Sequence, residues 1–188
     1  MKMNDFAGQT LEQMLGQDFL TWLWYRGETS GRFKIPSGEE FSVLMERRVV
    51  VQGGEGELME TASVSGPASE LREARLGLVT GKKVIRGLLR LEKSAEEVWL
   101  TALKAEDFSL GAFRTPKISA PEKDEDPETA FFEKVFLLEK GLEFLDALYR
   151  VFLDLRLGPA WKNEVDAIRT WMQASISENG EDAGQAAS

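Results

Sequence analysis

The sequence predicts an α+β fold: an antiparallel sheet of about six strands packed with helices, followed by a long C-terminal αα-hairpin. Three observations carry this reading. Apolar residues recur at three- and four-residue steps over Thr10–Arg26, the period falls to two over Gly31–Ser65, and helical periodicity returns beyond Asp126. The connections between the short strands leave no room for a helical crossover between parallel strands, so the pairing is expected to be an antiparallel meander.

The first helix places Leu11, Met14, Leu15, Phe19, Trp22 and Leu23 on recurring steps, with Thr10 as N-cap and Gly27 as stop. Its run Phe19-Leu20-Thr21-Trp22-Leu23-Trp24-Tyr25 is apolar nearly all round, which predicts burial on more than one side. Strands are expected at Arg32–Pro36, Phe41–Glu46, Val49–Gln52 and Glu57–Val64, with turns at Pro36–Glu39 and Gly53–Gly56. A short helix over Ser69–Val79 carries Leu71, Ala74, Leu78 and Val79 and ends at Gly81. Two strands, Lys83–Leu91 and Glu97–Leu103, form a hairpin around Ser94-Ala95, and a last short strand runs through Phe108–Phe113.

The sheet domain so defined occupies residues 1–113. An acidic linker with Pro116 and Pro121 spans 114–126, and a helical hairpin spans 127–176. The small polar residues of 177–188 predict a disordered tail. The hairpin has the clearest start signal in the chain. Asp126 is the N-cap, Pro127 the first helical residue, and Glu128 lies in the first turn, where the helix dipole favours a negative charge. Gly158-Pro159 separates this helix from a second one carrying Trp161, Val165, Ile168 and Trp171.

Composition narrows the chemistry. The chain has 188 residues, no cysteine and no histidine. Disulfides, thiolate metal sites, cysteine nucleophiles and Ser-His-Asp arrangements are therefore excluded, and no catalytic residue, metal site or cofactor is expected. The paired carboxylates Glu39-Glu40, Glu96-Glu97 and Glu106-Asp107 all lie at turns, where solvated surface is the default over a magnesium-nuclease site. Gly53-Gly54-Glu55-Gly56 lacks a following Lys-Ser/Thr and opens onto a strand, so it is read as a hairpin turn and not as a phosphate loop. Neither an apolar leader nor a run of 18 apolar residues is present, which predicts a cytoplasmic protein with no membrane partner.

The informative feature is a charge inversion. The chain carries a net charge of −9, yet Leu71–Lys93 holds Arg72, Arg75, Lys82, Lys83, Arg86, Arg90 and Lys93 against only Glu73 and Glu92. Lys82, Arg86 and Arg90 share strand parity and so are expected on one sheet face, about 13 Å apart in succession. That row, with Lys83, Arg72 and Arg75, is the expected DNA-binding strip. A solvated face with edge-protecting charges is the alternative. The opposite parity, Lys83, Ile85, Gly87, Leu89 and Leu91, reads as the core face.

The order of elements and their residues resembles the C-terminal part of the recombination-associated protein RdgC family. The matching pieces are Phe19-Leu20-Thr21-Trp22-Leu23-Trp24-Tyr25-Arg26, then Gly81-Lys82-Lys83-Val84-Ile85-Arg86-Gly87-Leu88-Leu89-Arg90-Leu91 in a hairpin with Val98-Trp99-Leu100-Thr101-Ala102-Leu103. The Phe108–Lys117 strand and the helix beginning at Pro127 follow in the same order, so the resemblance covers roughly residues 15 to 155. The family's N-terminal region is not among the matched pieces. The resemblance implies a non-enzymatic, nucleoid-associated DNA-binding protein, and a phage-related origin is expected with it. It also implies duplex DNA in preference to single strands, a recombinase as a possible partner, and a dimer. An acidic protein-interaction module that keeps the fold without DNA binding is the second reading.

A homodimer is also expected from the residues themselves. Phe131, Val135, Leu138, Leu142, Leu145, Tyr149 and Phe152 step alternately by four and three along the long helix, and Phe132, Phe136, Leu148 and Leu155 widen the stripe. The following helix is too short in apolar residues to cover all of it, which leaves a face for a second chain.

Overall fold

The computed structural model describes residues 11–54, 60–66, 71–118 and 127–185. Its elements run α1 (Leu11–Thr29), β1 (Arg32–Lys34), β2 (Glu40–Gly53), β3 (Glu60–Ser65), α2 (Leu71–Val79), β4 (Lys83–Glu92), β5 (Val98–Lys104), β6 (Leu110–Arg114), α3 (Pro127–Leu157) and α4 (Trp161–Gln185). The α+β class, the six-stranded antiparallel sheet and the C-terminal helix pair are all present.

The sheet order is β1-β2-β4-β5-β6, with β3 also on β2. This departs from a simple meander, because β4 pairs with β2 and not with β3. The cause is the length of β2. The two strands expected at Phe41–Glu46 and Val49–Gln52 are one 14-residue strand with an irregularity between Glu46 and Val49. Its first part pairs with β1 and its last part with β3, leaving the other edge for β4. Helix α2 carries the chain between β3 and β4.

Among the described residues the helices pack on one face of the sheet. Helix α1 lies across β2 and β4. Gly87 lies beneath this contact: a Cβ would stand 2.4 Å from Met45 Sδ, so the methionine would have to move, and 3.6 Å from Leu20 of α1. Phe19, Leu20, Trp22, Leu23 and Trp24 are all buried, as the all-round apolar run predicts. Gly27 does not end the helix. It lies where a Cβ would sit 2.9 Å from the Val43 carbonyl oxygen, so it serves close packing, and the left-handed turn comes at Gly31, φ 42°.

The helical hairpin is not a separate module. Phe144, Leu148, Phe152 and Ile168 belong to the same core as the strands and α1. Helix α3 is seated on Trp99, whose Nε1 donates to the Leu137 carbonyl at 2.7 Å. Phe144 stacks on Phe41 with centroids 4.3 Å apart and meets Trp99 edge-on at 5.1 Å. This packing divides the expected dimer seam. Phe152 is fully buried in the chain's own core, and Leu145 and Tyr149 pack against it half-buried, so these three do not form a free surface. Phe131, Leu138 and Leu142 remain exposed. Helix α4 runs to Gln185, past the expected limit at 176. Of the expected linker, 119–126 lies outside the described residues. Among the described residues no helix is long and apolar enough to cross a membrane.

Candidate nucleic-acid interface

The basic strip does not form as one row, and the reason is a bulge. On β4, Val84 pairs with Val51 while Arg86 pairs with Val50, so Ile85 is an extra residue between them. Alternation shifts at that point. Val84 is fully buried toward the helices, as are Leu89 and Leu91 beyond the bulge, whereas Arg86, Leu88 and Arg90 point to the opposite, helix-free face.

Lys82 therefore stands apart from Arg86 and Arg90. Its stem lies against Gly53 and Gly77 on the helix side, and its Nζ donates to Glu60 Oε2 at 2.9 Å, which lowers the Glu60 carboxyl from its ordinary range. Arg90 is on the open face but held by carboxylates. Its Nε donates to Glu92 at 3.0 Å and its Nη1 to Glu46 at 3.3 Å; the hydrogen bond to Glu92 is the main cause raising its pKa. Arg75 is a structural pin. Nη1 meets Glu28 at 2.6 Å, the guanidinium lies 5.1 Å from the Trp171 ring centroid, and Nε is buried without a partner. Lys83 is exposed, and the Arg72 side chain lies outside what the structure describes.

Of the expected strip, Arg86 stays unpaired on the open face, and two arginines that parity along one strand could not reveal join it. Arg48, from the irregular stretch of β2, and Arg114, at the end of β6, surround a concavity of about 220 Å³ together with Arg86. Its floor is Leu88, Leu100, Ala102 and Ala112. Lys104 is the direct cross-strand partner of Arg86, so its side chain leaves the same face. No carboxylate lines the concavity, and Arg48, Arg86 and Arg114 hold no ion pair among the described residues. The other arginines give the contrast: Arg26, Arg75, Arg90, Arg150, Arg156 and Arg169 each hold a carboxylate, while Arg32, like several lysines, holds none among the described residues. In a chain with 32 acidic and 23 basic residues, an arginine cluster left without acids is a local positive field on an otherwise acidic body.

The sheet pairing brings the three together, since Arg48 stands two residues before Val50, the partner of Arg86, and Arg114 pairs with Leu100, two strands away. Guanidiniums in such an arrangement offer forked donors to phosphate or carboxylate oxygens. Among the described residues no group of three or more acidic side chains is placed to hold a metal ion. No family model, curated protein or solved structure matches the chain.

Proposed function

We propose that the protein is a non-enzymatic DNA-binding protein that holds the phosphate backbone on its open sheet face, through Arg48, Arg86 and Arg114 with Lys104 beside them. The single observation that supports this is the three acid-free arginines around one concavity, in a chain where Arg26, Arg75, Arg90, Arg150, Arg156 and Arg169 are each held by a carboxylate. Duplex is favoured over single strands, because Leu44, Leu88, Leu100 and Ala102 give the face no aromatic platform on which unpaired bases would stack. The resemblance to the RdgC family supports recombination as the process, with a recombinase as a further partner. The absence of histidine and cysteine supports binding without catalysis.

Retention of labelled duplex and single strands across a salt series tests the reading. Replacing Arg48, Arg86 and Arg114 by Ala together is expected to abolish most retention and to flatten the duplex salt slope by about 0.9 per lost contact. Unchanged affinity and slope in the triple variant would overturn it.

A specific observation supports a second reading, that of a protein-interaction module. Phe131, Phe132 and Phe136 are 62–63% exposed on the first turns of α3, a concentration of bare aromatic surface that water disfavours.

A further inference from the structure

The first half of α3 carries a short seam that its own fold covers only in part, with Val135 half-buried between exposed neighbours. Phe131, Val135, Leu138 and Leu142 follow one another by four, three and four residues, which places them along one flank. Phe131 is 62% exposed, Leu138 41% and Leu142 42%. Beyond Leu142 the same seam turns inward, with Leu145 and Tyr149 packed against the core. The free part is therefore 131–142, about 18 Å of helix.

The residue types on this seam are selective. Counted as a heptad, Val135 and Leu142 take the a positions, Phe131 and Leu138 the d positions. The central pair, Val135 at a with Leu138 at d, follows the β-branched and leucine choice that suits two parallel strands, while Leu142 and Phe131 at the ends do not bear on it. The flanking charges agree. Lys134 precedes the first a position and Glu139 follows the second d position, five residues apart. In a parallel pair that offset sets Lys134 of one chain against Glu139 of the other, and symmetry makes the contact twice. In an antiparallel pair each flank meets its own kind, so Lys134 lies beside glycine (Gly141) and Glu139 beside Phe132. Both charges are exposed and hold no ion pair among the described residues, so both are free for this use.

We propose that a second copy of this chain pairs with it in parallel along 131–142, with Val135 meeting Val135 at the centre and two Lys134–Glu139 contacts at the flanks. The paired stretch is short, so association is weak and concentration-dependent. Being independent of the arginine face, it stands or falls separately from DNA binding.

Sedimentation of the full chain at low to high micromolar concentration is the test. The unmodified chain is expected to shift from monomer to dimer. Lys134→Glu alone and Glu139→Lys alone are each expected to remain monomeric, because each sets like charges together. Mixing these two variants is expected to restore the dimer, since both contacts in the mixed pair join opposite charges. Both substitutions are on exposed positions, and circular dichroism checks that each variant is folded. Val135→Cys adds a second readout. The chain has no other cysteine, and oxidation should link the parallel pair at that one position. Monomer at every concentration would overturn the proposal. So would a dimer indifferent to the charge variants, or one that links only when Val135→Cys meets Leu138→Cys.

Discussion

Trp22 donates its indole N–H to Glu164 Oε1 at 2.9 Å, joining helices 142 residues apart. The same oxygen accepts from Arg26 Nε at 2.7 Å. Glu164 is among the buried polar residues of the core, so this carboxylate fastens α4 to α1 where water has little access. Glu164→Ala would leave a buried indole N–H and a half-buried guanidinium without their acceptor. The expected loss is about 2–3 kcal/mol, the range for hydrogen bonds to charged groups, read by urea denaturation. Glu164→Gln keeps one acceptor and should lose less.

Glu39 ties the β1–β2 turn to α3 and to the β4–β5 hairpin through Lys140 and Lys93. The hydrogen bond from Lys140, then that from Lys93, lowers its carboxyl from 4.5 to about 2. A carboxylate with a lowered folded-state pKa stabilises the fold fully above its unfolded value. That contribution falls as pH drops from 4.5 and is gone near 2. The stability difference between the unmodified chain and Glu39→Gln should therefore be largest at neutral pH and vanish near pH 2. A difference that stays constant over that window would contradict the assignment.

Gly141 is where α3 meets the sheet. A Cβ there would stand 2.6 Å from Trp99 Cδ1 and 2.7 Å from Phe113 Cζ. Gly141→Ala is expected to destabilise by roughly 1–3 kcal/mol despite alanine's better helix propensity, because the fully buried Trp99 ring would have to shift in the packed core. Loss of the near-ultraviolet signal of Trp99 before global unfolding would locate the damage at this seat.

The two halves of the expected basic strip should separate in a binding assay. Lys82→Ala and Arg90→Ala remove cations already held by Glu60 and by Glu46 and Glu92. Neither should change the salt slope of duplex retention, whereas Arg86→Ala should flatten it by about 0.9.

The contrast between Lys82 and Arg86 also shows how far the sequence could be read. Both helical periodicity and strand alternation were legible, and with them the fold class, the buried face of α1 and the core side of Leu89 and Leu91. Parity failed at Ile85, because a bulge is one extra residue and leaves no mark in an apolar run. Arg48 and Arg114 were missed for a different reason. Each is unremarkable on its own strand, and only the pairing β2-β4-β5-β6 brings them beside Arg86. Which cations are free was likewise unreadable, since the carboxylates that claim Lys82 and Arg90 come from β2, β3 and β4. The α3 seam was visible as a pattern, but its division at Leu142 depends on where the helix meets Trp99.

The burial of α1 has a consequence for the order in which the molecule is made. Phe19 to Trp24 are synthesised well before part of their cover, since Glu164, which accepts from Trp22, lies 142 residues further along the chain. At elongation rates of about 5–20 residues per second, those 142 residues take roughly 7–28 s to translate. For that interval the most apolar stretch of the protein is outside the ribosome without its lid. This apolar stretch therefore carries an aggregation risk that ends only when the helix bearing Glu164 closes over it.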